Sequence, residues 1–499
     1  MHTETSPNSQ ETKYQSKNVL IVGGGPAGLA TALMLAKRGW KNITVLEQRV
    51  AADYYEPDKS FNYLIDGRGQ KLTDFLGLSD ELAKLSVPTQ EFYLTVIQPD
   101  SSRKTLNLPI IDANRKTAYW ISRKSFVLLL YQEIEKNWQD YITVFFKTKC
   151  VEINQVATNI ADEKKLEILA QSQDGDSCKF TPDFLIGCDG INSFVRQNLK
   201  EWEESNSDRF VMKLFPSPSS NLRYKVLNLP PQFPVDRNGK ELAIHDMAYA
   251  IRGAFRGRRR LITLGILPLK NPEEGRTANI ITPFDHEIWQ LRNSEDLANF
   301  LEQAFPQLPI REIVTPTEAD RFVKSEGGYF PIPQYCAGLY FLLTQESAEN
   351  APGIVLLGDA VHCFPPDIGQ GVNSALEDVY VLHEALSKAD DDLSRALPLY
   401  ESLRADDVKA LVRLSQIAFP WQYNQDPWRQ SLWIVNFFIR LSLSRFLPSL
   451  FSPQAFFLIQ NHRLSYQKIL AKVNRTTQIL WLIILVIICG VLALWGLIY

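Results

Sequence analysis

The apolar residues of this chain fall into short runs separated by longer segments with helical spacing. Runs of strand length occupy 18–22, 43–46, 184–187 and 354–357, and they are largely apolar rather than alternating. Segment 29–38 places its apolar residues at the spacing of a helix. Continuous apolar strands that alternate with helices are typical of a parallel sheet covered on both faces, so we predict an α/β fold.

The C-terminal end carries the longest apolar run of the chain. Residues 479–499 contain no charged side chain and are long enough to span a bilayer. Lys468, Lys472 and Arg475 precede the run, which favours keeping that side in the cytosol. A buried core helix is the alternative, but such a helix normally has a polar face. We therefore predict a single-pass C-terminal membrane anchor behind a cytosolic catalytic domain.

The segment before the anchor, 417–459, is rich in Trp, Phe and Leu and contains four prolines. This pattern predicts several short helices. They either pack against the main body or form a platform that faces the membrane.

Composition narrows the choice of function. The chain has 499 residues, 45% of them hydrophobic, and a net charge of −3, so no global field attracts nucleic acid. Its six cysteines are scattered without metal-binding or paired spacing, which indicates a reducing compartment and neither a disulfide framework nor a metal site. Residues 1–17 are polar and predict a flexible tail rather than a secretory signal.

A glycine-rich turn joins the first apolar strand to the first helix. Gly23 permits a tight turn, Gly25 lets the backbone approach a pyrophosphate, and Gly28 allows close helix–strand packing. Glu47 ends the second strand about 20 residues on, where an acidic side chain can bind ribose hydroxyls. The predicted cofactor-binding residues of this unit are Gly23, Gly25, Pro26, Ala27, Gly28, Glu47 and Arg49.

Two further motifs follow buried strands later in the chain. Asp189 and Asp359 each stand at the end of such a strand, where parallel sheets bind ligands. Gly369 and Gly371 precede a helix and can turn successive N–H groups towards an anion. His362 is either a core histidine or a catalytic one. The motifs predict one FAD site built from three stretches, to which this part of the chain contributes Asp189, Asp359, Gly369, Gly371, Val372 and Asn373.

The three motifs together resemble those of the group A FAD-dependent aromatic hydroxylases, relatives of p-hydroxybenzoate hydroxylase, and within that family most of all the kynurenine 3-monooxygenase branch. The resemblance implies a monooxygenase that takes electrons from transiently bound NAD(P)H and inserts one atom of molecular oxygen into an aromatic or unsaturated small molecule. It also implies that Arg123 lies along the FAD. Pro365 and Asn373 are expected to be catalytic, at the flavin ring.

The expected architecture is a discontinuous Rossmann-like FAD-binding domain, a β-rich substrate domain, a helical cap region and a transmembrane anchor. The predicted ranges are 18–85, 118–203 and 345–400 for the FAD domain, 86–117 and 204–344 for the substrate domain, 401–475 for the cap and 479–499 for the anchor.

The resemblance fails where the substrate would be selected. Kynurenine has a carboxylate, which its hydroxylase binds with an arginine and a tyrosine, whereas the matching strand 92–97 contains no arginine. Thr117 occupies the tyrosine position, and Tyr119 is displaced by two residues. A buried, unpaired carboxylate would cost several kcal/mol. Unless Arg103 or another cation takes over, we expect a lipophilic, electron-rich substrate instead of kynurenine.

An arginine cluster at 252–260 surrounds two glycines. Nucleic-acid, NADPH-phosphate or anionic-lipid binding is conceivable, but the pattern favours a solvated hairpin turn in the substrate sheet.

Two other functions fit the same fold. A flavin-dependent epoxidase or reductase acting on an isoprenoid or lipid would suit the anchor. A non-catalytic binder of the Rab-escort kind is disfavoured, because that class has lost the flavin motifs that are intact here.

Overall fold

The computed structural model describes residues 16–59, 61–108, 115–157, 164–203, 207–343, 351–423 and 425–498. Nearly all of the tail predicted at 1–17 lies outside these residues, as does the start of the range 345–400.

The described chain forms strands and helices in the following order along the sequence. The strands are β1 (Asn18–Val22), β2 (Asn42–Leu46), β3 (Asn62–Ile65), β4 (Val87–Thr89), β5 (Phe92–Ile97), β6 (Arg103–Leu108), β7 (Ala118–Ser122), β8 (Ile142–Phe145), β9 (Thr148–Ala157), β10 (Lys164–Ser172), β11 (Ser177–Phe180), β12 (Phe184–Gly187), β13 (Lys213–Leu214), β14 (Arg223–Leu229), β15 (Ala248–Arg252), β16 (Thr263–Ile266), β17 (Arg276–Thr282), β18 (Gly328–Tyr329), β19 (Gln334–Tyr335), β20 (Tyr340–Leu342), β21 (Gly353–Leu356) and β22 (His362–Cys363). The helices are α1 (Pro26–Lys37), α2 (Gln70–Leu76), α3 (Ser79–Leu85), α4 (Arg123–Glu133), α5 (Phe194–Trp202), α6 (Ser294–Ala304), α7 (Ile310–Ile313), α8 (Pro316–Lys324), α9 (Gly371–Lys388), α10 (Leu393–Ile417), α11 (Pro427–Phe446), α12 (Ala455–Ile459) and α13 (Tyr466–Ile498).

The first sheet has six strands in the order β20-β21-β12-β1-β2-β8. All neighbours pair in parallel except β20, which is antiparallel to β21. Strands β12 and β21 are buried along their whole length, as their continuous apolar sequences require. Since β1, β12 and β21 lie side by side, the motifs that follow them meet at one edge of the sheet. The predicted α/β fold is confirmed.

The second sheet has seven strands in the order β18-β14-β17-β16-β15-β5-β6, and it has its own hydrophobic core against α6, α7 and α8. Strands β5 and β6 come from an early part of the chain and join the later strands through a parallel pairing of β5 with β15. The arginine-rich segment connects antiparallel β15 and β16. Three of its side chains form ion pairs with Asp285 or Glu287, so the hairpin interpretation holds.

Several element boundaries differ from the predicted ranges. Strand β20 joins the six-stranded sheet although it falls within 204–344. Helix α10 continues through position 400, because 399–417 contains no glycine or proline to end it. Helix α11 is a single helix of 20 residues, not a series of short ones, since Pro427 begins it and the next proline follows its end. Helix α13 begins at Tyr466, so the apolar run is only its second part.

A buried ion network joins α9 and α10 to the segment after β3. Arg404 on α10 donates to Glu377 at 2.8 Å and to Asp378 at 2.6 Å, both on α9. Arg68 donates to the other oxygen of Glu377 at 2.7 Å. The Arg404 and Arg68 side chains are each 1% exposed. Two guanidinium groups therefore compensate two carboxylates out of contact with water. Removal of any one of these four side chains leaves a buried charge without its partner.

We expect Arg404→Ala to lower the free energy of unfolding by about 3–5 kcal/mol, because it leaves two buried carboxylates short of a partner. Urea unfolding of the detergent-solubilised protein measures the change. Arg413→Ala on the same helix removes an exposed guanidinium whose hydrogen bond within the described part of the chain is to Gln416. This control should change stability by less than about 0.5 kcal/mol. Similar losses in the two variants would contradict the proposed importance of the network.

Candidate functional site

The first and middle motifs are in direct backbone contact. Gly23 has a φ of +104°, and a Cβ atom there would lie 2.4 Å from the carbonyl oxygen of Cys188. A Cβ atom on Gly28 would lie 1.9 Å from the carbonyl oxygen of Gly23. These two glycines therefore serve the turn and the close packing of α1 on β1.

Gly25 differs from its neighbours because a Cβ atom there would meet no atom within 4 Å. Its φ of −77° is accessible to any residue, so the chain geometry alone does not demand a glycine. Helix α1 begins at Pro26 and no side chain caps its N-terminus. Its first N–H groups and the positive end of its dipole thus meet open space beside Gly25, which is the arrangement that binds phosphate.

Glu47 stands beside this turn and is held by protein groups. Its carboxylate accepts hydrogen bonds from the backbone N–H of Gly24 at 2.8 Å and from the Arg49 side chain at 3.0 Å. Burial disfavours the charged form, but the hydrogen bonds and charge of Arg49 outweigh burial, so the pKa of Glu47 is lowered. Glu47 is therefore an ionised acceptor, and a carboxylate has further lone pairs for ribose hydroxyls.

The carboxylate of Asp189 connects the middle motif to the start of α5 by hydrogen bonds. One carboxylate oxygen accepts from the N–H groups of Phe194 at 2.6 Å and Val195 at 3.1 Å. The other oxygen is buried and has no hydrogen-bond partner among the described residues. Burial raises the pKa of Asp189. An unpartnered buried oxygen of this kind is costly unless a ligand supplies a donor.

Arg196 connects the middle motif to the late one. Its guanidinium donates to the carbonyl oxygen of Ala360 at 2.6 Å and to that of Ile191 at 2.8 Å. The loop that carries Asp359 is thereby fixed against the loop that carries Asp189. The sequence suggested no such role, because an arginine at the start of a helix has no distinctive pattern.

Asp359 is accessible to solvent, unlike its neighbours Gly358 and Ala360. Desolvation by the surrounding protein raises the pKa of its carboxyl, while the nearby His362 and Arg123 lower it. The hydroxyl of Tyr63 lies within electrostatic reach of Asp359, Arg123 and Arg49. The structure therefore brings predicted cofactor residues from three separate stretches to one edge of the six-stranded sheet.

The late motif also leaves empty space beside its glycines, as the first motif does at Gly25. We call the turn that contains Gly369 and Gly371 the glycine nest. Gly369 adopts the left-handed conformation with a φ of +61°, and a Cβ atom at Gly369 or Gly371 would meet nothing within 4 Å. Gln370 between them is 3% exposed and is held on both sides. It donates to Asp66 at 2.8 Å and accepts from the hydroxyl of Tyr466 at 2.7 Å.

The side chain of Asn373, predicted to be catalytic and cofactor-binding, is hydrogen-bonded to three backbone groups of the protein. Its amide donates to the carbonyl oxygens of Leu64 and Gly369, and its oxygen accepts from the N–H of Asp66. These bonds connect the loop of the nest glycines to the end of β3. Sequence reasoning missed this because the partners are backbone groups far away in the chain.

Pro365 and His362 are both buried. Pro365, predicted to be catalytic, is buried, whereas its neighbour Pro366 is exposed. Of the two prolines, only Pro366 therefore presents its ring to accessible space. His362 is 1% exposed and pairs with Asp378 at 2.8 Å, an arrangement that favours the core-histidine interpretation.

The residues present fit an FAD molecule by three observations. An uncapped helix N-terminus faces open space, a buried carboxylate oxygen lacks a donor, and three glycines leave room that side chains would fill. Donors suited to phosphate, acceptors suited to hydroxyl groups and a nest suited to an anionic ring edge are the groups that FAD needs.

Comparison with known proteins agrees with this geometry. The family described as FAD binding domain matches residues 16–222 and 348–415, which together exceed half of the chain. The kynurenine 3-monooxygenase of Sus scrofa is 25% identical over 448 residues, covering 88% of this chain and 83% of its own length. That of Caenorhabditis elegans is 22% identical, covering 93% of this chain and 94% of its own length.

Solved structures show the same fold. A probable FAD-dependent monooxygenase from Pseudomonas aeruginosa has a TM-score of 0.53 and 21% identity, with coverage of 84% of this chain and 100% of that one. The tetrameric 2-methyl-3-hydroxypyridine-5-carboxylic acid oxygenase has a TM-score of 0.56 and 16% identity, covering 86% and 95%.

The fold and the three-part site define a flavoprotein monooxygenase of the group A, p-hydroxybenzoate hydroxylase-like class. The chain belongs to the FAD binding domain family, and its relatives favour a kynurenine 3-monooxygenase-like enzyme over the epoxidase, reductase and Rab-escort alternatives. The predictions of fold, family, FAD and monooxygenase chemistry are confirmed.

The open and closed glycines of the first motif provide a test of the site. Gly25→Ala should fold normally, because its methyl group meets no atom, but it should lose FAD affinity, since the methyl occupies the approach of the pyrophosphate. Gly28→Ala should not fold correctly, because its Cβ collides with a backbone oxygen. Circular dichroism and the flavin absorbance of the purified variants distinguish the two effects. Normal FAD retention by Gly25→Ala would contradict the assignment.

Proposed function

We propose that this protein uses FAD and NAD(P)H to hydroxylate a small, lipophilic aromatic molecule. The observation that carries the proposal is the convergence of three motifs, each at the end of one of the neighbouring strands β1, β12 and β21, at one edge of the sheet. They bring together groups suited to phosphate, to hydroxyl groups and to an anionic ring edge. When bound, FAD accepts hydride from the nicotinamide and activates oxygen for insertion into the substrate.

Different residues of the chain would bind different parts of this cofactor. Gly25 and the start of α1 would hold the pyrophosphate, and Glu47 the ribose hydroxyls. Asp359 would hold the ribityl hydroxyls, and Arg123 would lie along the cofactor. The remaining residues assigned to the cofactor are Gly23, Pro26, Ala27, Gly28, Arg49, Asp189, Gly369, Gly371 and Val372, with Asn373 and Pro365 supporting the nest.

The charges near the substrate sheet support a substrate without a carboxylate. Strand β5 contributes no cation, and Arg103 on β6 is engaged by Glu241 and by the carbonyl oxygen of Val235. Thr117 accepts a hydrogen bond from Gln90. The residues that would form a carboxylate clamp by position are thus absent or paired, and an unpaired carboxylate would be penalised in a dry pocket.

Asp359→Ala tests the placement of the late motif. Loss of charge-assisted hydrogen bonds worth about 1.5–3 kcal/mol should weaken FAD binding by roughly ten- to a hundredfold. Titration of the deflavinated protein with FAD measures the affinity. Asp174→Asn, an exposed carboxylate in the turn between β10 and β11, is the matched control and should bind FAD like the unmodified protein. Equal affinity in both variants would remove Asp359 from the site.

We propose further that the protein is anchored to a membrane through α13, with the catalytic part in the cytosol. Within the described chain, one helix, Tyr466–Trp495, is long and apolar enough to cross a membrane, and its most apolar stretch is not buried at all. Lys468, Lys472 and Arg475 near its start are exposed and support the cytosolic orientation.

Helix α11 supports a second contact with the bilayer. Its outward face exposes a row of large apolar side chains: Trp428, Leu432, Ile434, Val435, Phe438, Ile439 and Phe446. Arg440 on its inner face donates to Thr477 at 2.8 Å and to the carbonyl oxygen of Val473, both on α13. The apolar face of α11 thus adjoins the point where α13 leaves the body, which favours a helix lying in the membrane interface.

Two truncations separate anchoring from flavin binding. Removal of 479–499 should release the protein from membranes partly or fully while FAD stays bound, because the buried residues of α13 lie before 479. Removal of 466–499 should cause loss of FAD, because it removes Tyr466, which is fully buried and bonded to Gln370. Membrane flotation and flavin content are the measurements. Loss of FAD in the shorter deletion would refute the separation, and flotation of that deletion would assign the attachment to α11.

A further inference from the structure

The C-terminal part of the chain differs in charge from the rest of the molecule. Residues 427–499 contain seven arginine and lysine side chains and no aspartate or glutamate. Because the whole chain has a net charge of −3, the remainder of the chain is acidic. The excess of positive charge therefore coincides with α11 and α13, the two helices assigned above to the membrane.

Three of these cations are exposed close to the place where α13 leaves the protein body. Lys472 and Arg475 are exposed on α13, about one turn apart, whereas Val473 and Thr476 on the same turns are buried. Arg445 is exposed in the last turn of α11. We call the three side chains of Arg445, Lys472 and Arg475 the basic rim.

Hydrogen bonds hold the end of α11 against this part of α13. The backbone N–H of Ser452 donates to the hydroxyl of Thr476 at 2.8 Å, and the hydroxyl of Ser452 donates to the carbonyl oxygen of Lys472 at 3.2 Å. Arg440, on α11 itself, also donates to α13. Arg445 lies in the chain between these two attachments, so the last turn of α11 is held beside the other two cations.

The charges of the basic rim are not compensated within the protein. Among the described residues, none of its three side chains forms an ion pair. The ion pairs of the neighbouring segments join Arg429 to Asp426 before α11 and Arg404 to Asp407 on α10. Three unpaired cations held at one place repel one another, and an anion that binds between them removes this repulsion.

The position of the rim along α13 matches the depth of lipid phosphates. At about 1.5 Å per residue, Arg475 lies about 6 Å and Lys472 about 10 Å before position 479, where the apolar run begins. The headgroup region adds roughly 5–8 Å to each side of the hydrocarbon core. The turn after α11 also exposes the apolar side chains of Phe446, Leu447 and Leu450. Cations at phosphate depth beside exposed apolar residues favour a lipid headgroup over a free solute.

We propose that the basic rim binds the headgroup of an anionic phospholipid, so that the protein selects its membrane by lipid charge. This inference rests on the proposed attachment through α13 and names the lipid that surrounds the helix. The headgroup phosphate supplies acceptors for the guanidinium and ammonium groups. A single cation near an anionic membrane surface raises the affinity by about fivefold.

Energy transfer from tryptophan to a dansyl-labelled lipid tests the proposal on the FAD-loaded full-length protein. The donors Trp428 and Trp481 are exposed on α11 and α13. The protein is placed in phosphatidylcholine nanodiscs that contain a trace of phosphatidylserine or phosphatidylcholine, each labelled on an acyl chain. The ratio of the two transfer efficiencies measures the preference for the anionic lipid.

Two triple variants lose the same charge at different places. The control removes three exposed cations of the substrate domain. The rim variant is Arg445→Gln, Lys472→Gln and Arg475→Gln, and the control is Lys240→Gln, Lys270→Gln and Arg292→Gln.

The unmodified protein and the control should prefer phosphatidylserine by about fivefold or more. The rim variant should show a ratio close to one while it retains FAD. Raising the KCl concentration from about 0.05 to 0.5 M should lower the preference, because salt screens exposed charges.

Single substitutions test the depth of the site and replace the rim variant if that variant does not fold. Arg475→Gln should lower the preference by about twofold or more. Lys468→Gln should leave it unchanged, because Lys468 lies about 16 Å before the apolar run, beyond the headgroups. Equal effects of these two substitutions would overturn the assignment.

An unchanged preference in the rim variant would overturn the proposal, as would equal transfer to both lipids in the unmodified protein. Inorganic phosphate that abolishes the preference at an ionic strength where chloride does not would assign the rim to a soluble anion instead. Failure of the proposed membrane attachment has a different signature, because the unmodified protein then shows transfer to neither lipid and does not float with vesicles.

Discussion

The placement of the late flavin motif depends on one buried carboxylate, Asp378. It accepts from the N–H of Gly358 at 2.8 Å, pairs with His362 at 2.8 Å, and is bound by Arg404 at 2.6 Å. Burial alone would favour the neutral acid, but His362 and Arg404 reverse that effect and lower the pKa of Asp378. An ionised acceptor is thereby fixed at the turn after β21, and the direction of the Asp359 loop follows from it.

The same network extends to the part of the chain beyond the flavin domain. Arg404 and Arg68 share Glu377, and the guanidinium of Arg68 lies 4.0 Å from the ring centre of Tyr466. Packing, charge and hydrogen bonding therefore all converge on the second turn of α9, which carries Glu377 and Asp378. A site assembled from distant stretches needs such a common support, because none of its loops is rigid alone.

The sequence predicted the parts of the site whose chemistry is local. Glycine turns such as Gly23 and Gly28 require a particular backbone, and a strand-ending aspartate such as Asp359 follows an apolar run, so both leave a pattern. The contacts that support the site leave no such pattern in the sequence. Arg196, Gln370 and Asp66 are ordinary polar residues until the fold buries them, and the hydrogen-bond partners of Asn373 at the end of β3 are far away in the chain. Helix α10 runs through the predicted domain boundary at position 400, because a domain division need not interrupt a helix.

Helix α13 has a buried first part and an exposed second part. Its first turns bury Tyr466, Ile469, Val473 and Thr476 against the protein, and residues 481–495 are exposed. The hydroxyl of Tyr466 reaches the residue between the two nest glycines. One continuous helix therefore connects the exposed apolar half of α13 to the loop of the nest glycines. A change in the direction of that half either bends the helix or moves Tyr466.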